Sequence, residues 1–327
     1  MTSPALDLEP SPDFSDRVRA VLQASADGAA RARGTSDLGE TETLQLFLLD
    51  GLLEAVDWAN DGVAADEAAC MWLAGLRWFR ARTGAFPAGS PEPLPRWIDR
   101  EVESLPSGWA PGDPQDALGL AAPEMASTGR PAYPAADGPG VLPRAAAMAL
   151  LPRVDHATTA RLATDAAALT HGAPAAHQAA GVASRAIRAG LELGSGAAPR
   201  WEELIEELDT VPKTVEENDG GSQAALRSAL AAALAELETR RAAGDQPEPL
   251  DGAADGGTNG GTNGQDATAV VHRLGADPDP ATASYAAALF ASACGHRRSD
   301  AAPIPAADGL ITELHRRWIE AVLGTLP

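Results

Sequence analysis

An all-α protein is what this sequence predicts, and three observations predict it. Apolar residues recur at helical spacing along nearly the whole chain, alternating β-branched runs are almost absent, and alanine is the commonest side chain. Small side chains let helices approach closely, so the expected architecture is a compact multi-helix bundle.

Taken in order, Val18, Val21, Leu22 and Ser25 mark a first helix, and Leu46, Leu49, Leu52, Leu53 and Val56 a second. Trp72, Leu73, Leu76 and Phe79 mark a third. Prolines and glycines then crowd residues 84–143, where only short helical pieces are expected. Helix returns by propensity around Ala166–Ala168 and Ala229–Ala235. Between them Trp201, Leu204, Ile205 and Leu208 mark a short amphipathic helix, with Glu202, Glu203, Glu206 and Glu207 on its wet face. Ile311, Leu314, Trp318, Ile319 and Val322 close the chain.

Residues 1–12 are rich in proline and acid and read as a disordered tail, which leaves 13–327 as a single domain. Residues 244–264, GDQPEPLDGAADGGTNGGTNG, bury too little to offset their ordering entropy and read as a flexible loop. The residues from about 265 to 323 supply only three more helices, too small a core to stand alone. The loop is therefore an insertion rather than a domain boundary.

The charge balance narrows the partners. Forty-six acidic against 25 basic side chains give a net charge of −21, which repels duplex DNA and anionic membranes alike. Neither nucleic acid nor a membrane is an expected partner. The two cysteines, Cys70 and Cys294, lie far apart inside apolar patterns and read as small buried hydrophobes. The first residues, Met1 to Asp7, carry no basic or apolar leader, and no window approaches the roughly 18 apolar residues of a membrane span. A soluble, cytoplasmic protein is expected.

Three stretches could carry chemistry. Gly39-Glu40-Thr41-Glu42-Thr43-Leu44-Gln45 precedes a strongly apolar helix. Gly138-Pro139-Gly140-Val141-Leu142-Pro143-Arg144 is a glycine loop running into a helix. Gly275-Ala276-Asp277-Pro278-Asp279-Pro280-Ala281-Thr282 stands at another helix start. Oxygen side chains at helix N-termini suit a hard cation such as Mg²⁺, and a glycine loop lets backbone N–H groups approach a phosphate. Plain capping explains the same residues: Thr41 or Thr43 as an N-cap, Asp279-Pro280 and Asp113-Pro114 as N-cap followed by proline at N1, Gly138 and Gly140 as a turn. No dinucleotide fingerprint, Walker loop, C-x-x-C, G-x-S-x-G or zinc-protease pair occurs.

The order of these stretches adds information. Ser25-Ala26-Asp27-Gly28-Ala29 comes first, followed by Thr41-Glu42-Thr43-Leu44-Gln45 and Pro111-Gly112-Asp113-Pro114. The 138–144 segment and Ala168-Leu169-Thr170-His171-Gly172 come next. Asp277-Pro278-Asp279-Pro280-Ala281-Thr282 closes the series, ahead of Gly295 and Ile304-Pro305. In this order the chain resembles the ADP-ribosylglycohydrolase family from about residue 17 to 323, with A-x-G-D-A-L-G, T-D-D-T-Q, P-G-N-T, G-x-G-G-x-M-R, A-L-T-H and G-D-x-D-T as the family's patterns. The resemblance implies an all-α hydrolase that uses paired Mg²⁺ ions to cleave ADP-ribosyl glycosidic bonds. It also implies ADP-ribosylated protein or an ADP-ribose-like small molecule as partner.

Carried over residue by residue, it makes Thr41, Glu42, Thr43, Asp277, Asp279 and Thr282 the metal positions. Glu42 and Asp279 become the catalytic acids, and Gly138, Gly140 and His171 the ligand contacts, while the position of His171 before Gly172 at a helix end favours a plain cap on the last carbonyls. The chain departs from the pattern in the first motif, where Glu42, Thr43 and Leu44 stand for Asp, Asp and Thr. In the last motif prolines flank both acids, and Thr282 aligns only with one extra residue. Loss of carboxylate charge weakens a two-ion site, so hydrolysis is expected to be weak or lost. The alternative is a non-catalytic relative that binds ADP-ribose or a protein.

Overall fold

The structure, a computed structural model, describes residues 10–105, 108–192, 221–242, 268–294 and 305–324. Among them stand twelve helices: α1 (Phe14–Arg33), α2 (Glu40–Asn60), α3 (Glu67–Thr83), α4 (Trp97–Glu103), α5 (Pro114–Leu120), α6 (Val141–Met148), α7 (His156–Ala168), α8 (Pro174–Glu192), α9 (Ser222–Ala242), α10 (Thr268–Arg273), α11 (Pro280–Cys294) and α12 (Pro305–Leu323). The described residues hold no strand, only isolated bridges between Gly39 and Ala110 and between Ser127 and Arg130. The three helices read from apolar spacing in the first 80 residues are α1, α2 and α3. The proline-rich stretch carries the short α4 and α5, as its composition predicts. The short helix expected at Trp201–Leu208 and the loop at 244–264 lie outside the described residues, as do residues 1–9 of the tail.

Alanine decides how closely the helices pack. Along the α1–α11 contact, Ala20 and Ala24 meet Ala283, Ala287 and Ala291, all buried, with Val271 of α10 beside them. Such small side chains let two backbones approach where leucine would hold them apart. Arg17 of α1 reaches the far end of α11, where it donates to the carbonyls of Ser292 (2.9 Å) and Ala293 (3.1 Å) and pairs with Asp13 at 2.7 Å. This satisfies carbonyls that the end of α11 leaves without helical partners. The first and eleventh helices thus share one core although they lie at opposite ends of the chain.

α6 is the central element. All eight of its residues are buried, and it packs against α2, α7, α8 and α11. Even Arg144 on this helix is 1% exposed, so its charge must be compensated inside the protein. Large side chains with a polar tip find backbone acceptors: Trp318 Nε1 donates to Leu150 O, Trp78 Nε1 to Glu40 O, and Tyr285 Oη to Ala183 O. Cys70 and Cys294 form no disulfide with each other and are only partly buried, which corrects the reading of two buried hydrophobes.

The middle of α2 is fixed by charge. Asp50 is wholly buried and accepts from Arg77 Nη2 (2.9 Å), Arg96 Nε (2.8 Å) and Trp97 Nε1 (2.8 Å), which ties α2 to α3 and α4. No helix is long and apolar enough to cross a membrane among the described residues.

Candidate functional site

The site begins where α1 ends and α2 starts. Gly34 takes the left-handed conformation (φ 66°) that closes α1 and turns the chain back. Glu40 N–H then donates to Ala110 O and Ala110 N–H to Leu38 O, which lays the 108–113 segment beside the start of α2. The N-cap of α2 is Gly39, not Thr41 or Thr43, and no side chain caps this end. Both threonines lie inside the first turns and spend their hydroxyls elsewhere. Thr43 Oγ1 donates back to Gly39 O at 2.7 Å. Thr41 Oγ1 accepts from Asp113 N–H (2.8 Å) and donates to Asp116 Oδ2 (3.0 Å).

Asp113 and Asp116 lead into a buried network. Asp113 caps α5 as its Asp-Pro sequence predicts, with Oδ1 accepting from Gln115 N–H at 2.9 Å. Its other oxygen accepts from Gly140 N–H (3.1 Å) and meets His171 Nε2 (3.2 Å). His171 Nδ1 in turn meets Thr170 Oγ1 at 2.7 Å, and Thr170 accepts from Arg144 Nη1 at 2.5 Å. Arg144 closes the circuit with an ion pair to Asp116 and a hydrogen bond from Nε to Gly140 O (3.1 Å). Thr41, Gly140, His171 and the 111–114 loop, distant in sequence, therefore meet at one place.

Gly138 stands against the same carboxylate. A Cβ there would overlap Asp113 Oδ2 and come within 3.0 Å of His171 Nε2, so only glycine fits. The N–H groups proposed for a phosphate are engaged within the protein, Gly140 with Asp113 and Gly138 with the Gln115 side chain (3.0 Å). His171 does not cap carbonyls at the end of α7. Its imidazole is fully buried between Asp113 and Thr170, and its own carbonyl accepts from His177 Nε2 at 2.7 Å.

Electrostatics follow from these contacts. Burial pushes the Asp113 carboxyl up, but the hydrogen bond and charge of His171, the Gln115 N–H and the Arg144 charge outweigh it and hold the group below its ordinary value. Asp116 goes the other way: complete burial dominates and raises it, against the pull of Arg144 and His171. Glu42 is raised for the same reason, burial outweighing Arg33, with the charge of Asp116 adding to the rise.

Glu42 lies apart from that circuit. It is 1% exposed and accepts from Arg33 Nη2 at 2.5 Å. Asp277 and Asp279 are exposed at the start of α11, and Asp279 Oδ1 accepts from Thr282 N–H (2.8 Å) and Thr282 Oγ1 (3.0 Å) in cap geometry. No hydrogen bond or ion pair joins either acid to Thr41, Glu42 or Thr43. The two segments are linked one step further on, where Ser25 of α1 donates to Gln45 of α2 (2.8 Å) and bonds Ser284 of α11 (2.7 Å).

Sequence reasoning missed Arg33, Asp116 and Thr170 as members of the site, and gave Arg144 no part in it. Arg144 had a signal, being the arginine that ends the glycine segment. Asp116 and Arg33 had none, since an acid one turn into a capped helix and a base in the last turn of another are ordinary helix chemistry.

An all-α protein with a buried polar junction at the start of α2, fed by a glycine loop and an A-L-T-H turn, is the class this geometry defines. The chain belongs to the ADP-ribosylglycohydrolase family, whose model matches residues 10–319. No curated protein matches it. The family is generally metal-dependent and acts on ADP-ribosylated substrates. The donors in place here do not fit a pair of divalent ions. Thr41 and Thr43 have their hydroxyls engaged, Glu42 faces a guanidinium, and no group of three or more His, Cys, Asp or Glu among the described residues is arranged to hold a metal.

Proposed function

We propose that this chain recognises an ADP-ribosylated protein or an ADP-ribose-like small molecule in the cytoplasm, and that Mg²⁺-dependent cleavage of ADP-ribosyl glycosidic bonds is weak or lost in it. One observation carries this reading: each buried carboxylate around the start of α2 already has a cation or donor of the protein against it. Glu42 has Arg33, Asp116 has Arg144, and Asp113 has His171. A two-ion site works by charge neutralisation between free carboxylates, and these already face a cation or a hydrogen-bonding partner of the protein. Asp279, the other acid of the expected catalytic pair, is engaged in holding the first turn of α11.

The residues that remain suit binding. The 111–113 segment and the 138–140 loop form the rim at which ligand arrives. His171 holds Asp113 in place from behind, and Arg144 holds Asp116 and Thr170. In this reading the network orients the rim and moves no proton.

The test is calorimetric titration of ADP-ribose into the purified full chain, in chelator and again in millimolar Mg²⁺, beside a release assay on an ADP-ribosylated protein. Binding that is the same in both buffers, with turnover far below the usual enzyme range of about 1–10³ s⁻¹, is the expected result. Turnover within that range in Mg²⁺ would refute it.

A further inference from the structure

Three buried polar atoms without a hydrogen-bond partner belong to the ion pair where α1 ends and α2 begins: Arg33 Nε, Arg33 Nη1 and Glu42 Oε1. The Arg33 side chain is 9% exposed and that of Glu42 2%. Taking two charges out of water at this cost demands good mutual geometry, and the 2.5 Å contact between Arg33 Nη2 and Glu42 Oε2 supplies one direct pairing. The nearest other carboxylate of the first stretch, Glu40, is turned to Arg82 at 2.9 Å, and the immediate neighbours of Glu42 are Thr41 and Thr43.

Gly39 shows that this pairing is built into the fold. Its backbone (φ −86°, ψ 160°) suits any residue, so no turn requires glycine there. Space does. A Cβ on Gly39 would overlap both Arg33 Nη2 and Glu42 Oε2. The N-cap of α2, a place that favours serine, threonine or aspartate, instead holds the one residue that lets the guanidinium cross to Glu42.

We propose that Arg33 is this chain's own replacement for a divalent cation at the start of α2: its guanidinium supplies the positive charge against Glu42 and makes that end of the site independent of metal. Arg33 is a positioning residue in this role. It holds Glu42 in a fixed orientation and frees the motif from a requirement for a second carboxylate. The inference deepens the binding reading above by naming what stands where metal would. Its test uses no ADP-ribose, so it can fail while that reading survives, and the reverse.

The experiment compares thermal unfolding of the full chain, in chelator and in millimolar Mg²⁺ or Mn²⁺, for the natural sequence, Arg33→Met and Arg33→Met/Glu42→Gln. Methionine keeps the length and apolar stem of the arginine and removes its charge. The natural sequence should be indifferent to the ions. Arg33→Met should lose about 5 °C or more of its midpoint in chelator and regain at least half of that loss with either ion. The double variant should recover without metal and ignore it, because no buried carboxylate is then left uncompensated. A saturable Mg²⁺ response of the natural sequence would overturn the proposal, as would Arg33→Met that folds and ignores both ions. Should Arg33→Met fail to fold in any buffer, the double variant decides. Folded and blind to metal, it supports the charge assignment; as damaged as the single variant, it shows that packing rather than charge was lost and overturns it.

Discussion

Glu42 and Asp50 are two buried carboxylates on one helix, about two turns apart, and they are treated differently. Asp50 is ringed by donors from α3 and α4: Arg77, Arg96 through two nitrogens, and Trp97, so both of its oxygens are engaged. Glu42 has one donor, Arg33, and its Oε1 has none. A saturated buried charge fixes how elements dock; an under-satisfied one lowers stability and marks a place where the fold serves something besides its own packing. By this measure Asp50 itself is scaffold and Glu42 is site, although Arg77 Nε, Glu54 Oε2 and Asp99 Oδ1 in the cluster around Asp50 also lack a hydrogen-bond partner.

The sharpest way to break the comparison is to neutralise each acid in turn. Asp50→Asn removes the carboxylate that three donors share and leaves Arg77 and Arg96 only their longer pairings to Glu54, Asp99 and Asp57, so it should cost about 3–5 kcal/mol in denaturant unfolding. Glu42→Gln deprives only Arg33 of a carboxylate and keeps an acceptor for it, so about 1–3 kcal/mol is expected. If the two costs prove equal, the distinction between scaffold and site along α2 is empty.

The network around Asp113 sharpens the picture through pH. Its carboxyl is held below its ordinary value of 3.8, so the folded state binds that proton less readily than the unfolded chain does. Its contribution is therefore complete above about pH 4 and is lost as the pH falls through the lowered value. Asp113→Asn should flatten the acid limb of the stability curve below about pH 4 and leave its shape at neutral pH unchanged, read by unfolding midpoints across that range.

The smallest effect is expected at Asp279. As a cap of α11, its replacement by alanine should cost about 1 kcal/mol. Thermal unfolding in chelator and in Mg²⁺ should give the same loss. A loss that appears only in Mg²⁺ would mark the residue as a metal ligand and not a cap.

Local chemistry was legible in the sequence to different depths. Helices with a clean apolar stripe, such as α2 at Leu46–Val56 and α12 at Ile311–Val322, were read directly, because periodicity is a property of neighbours along the chain. The aspartate caps at Asp113-Pro114 and Asp279-Pro280 were legible for the same reason, and cap formation is what the structure gives both. The threonine caps expected at α2 were not, since the helix begins one residue ahead of Thr41, where Glu40 N–H pairs with Ala110 O of a segment distant in sequence.

By itself, then, the sequence determined the all-α class, most helix positions, the acidity, and the ordered motifs that carry the family. The tertiary structure alone decided which charges meet. Arg33 and Glu42 are 9 residues apart, Asp116 and Arg144 28, Asp113 and His171 58. No spacing rule selects those partners from the 46 acidic and 25 basic side chains available. Pairing of buried charges depends on which helix faces enclose them and on how much water is expelled. Those conditions exist only once α1, α2, α5, α6 and the turn after α7 have packed together.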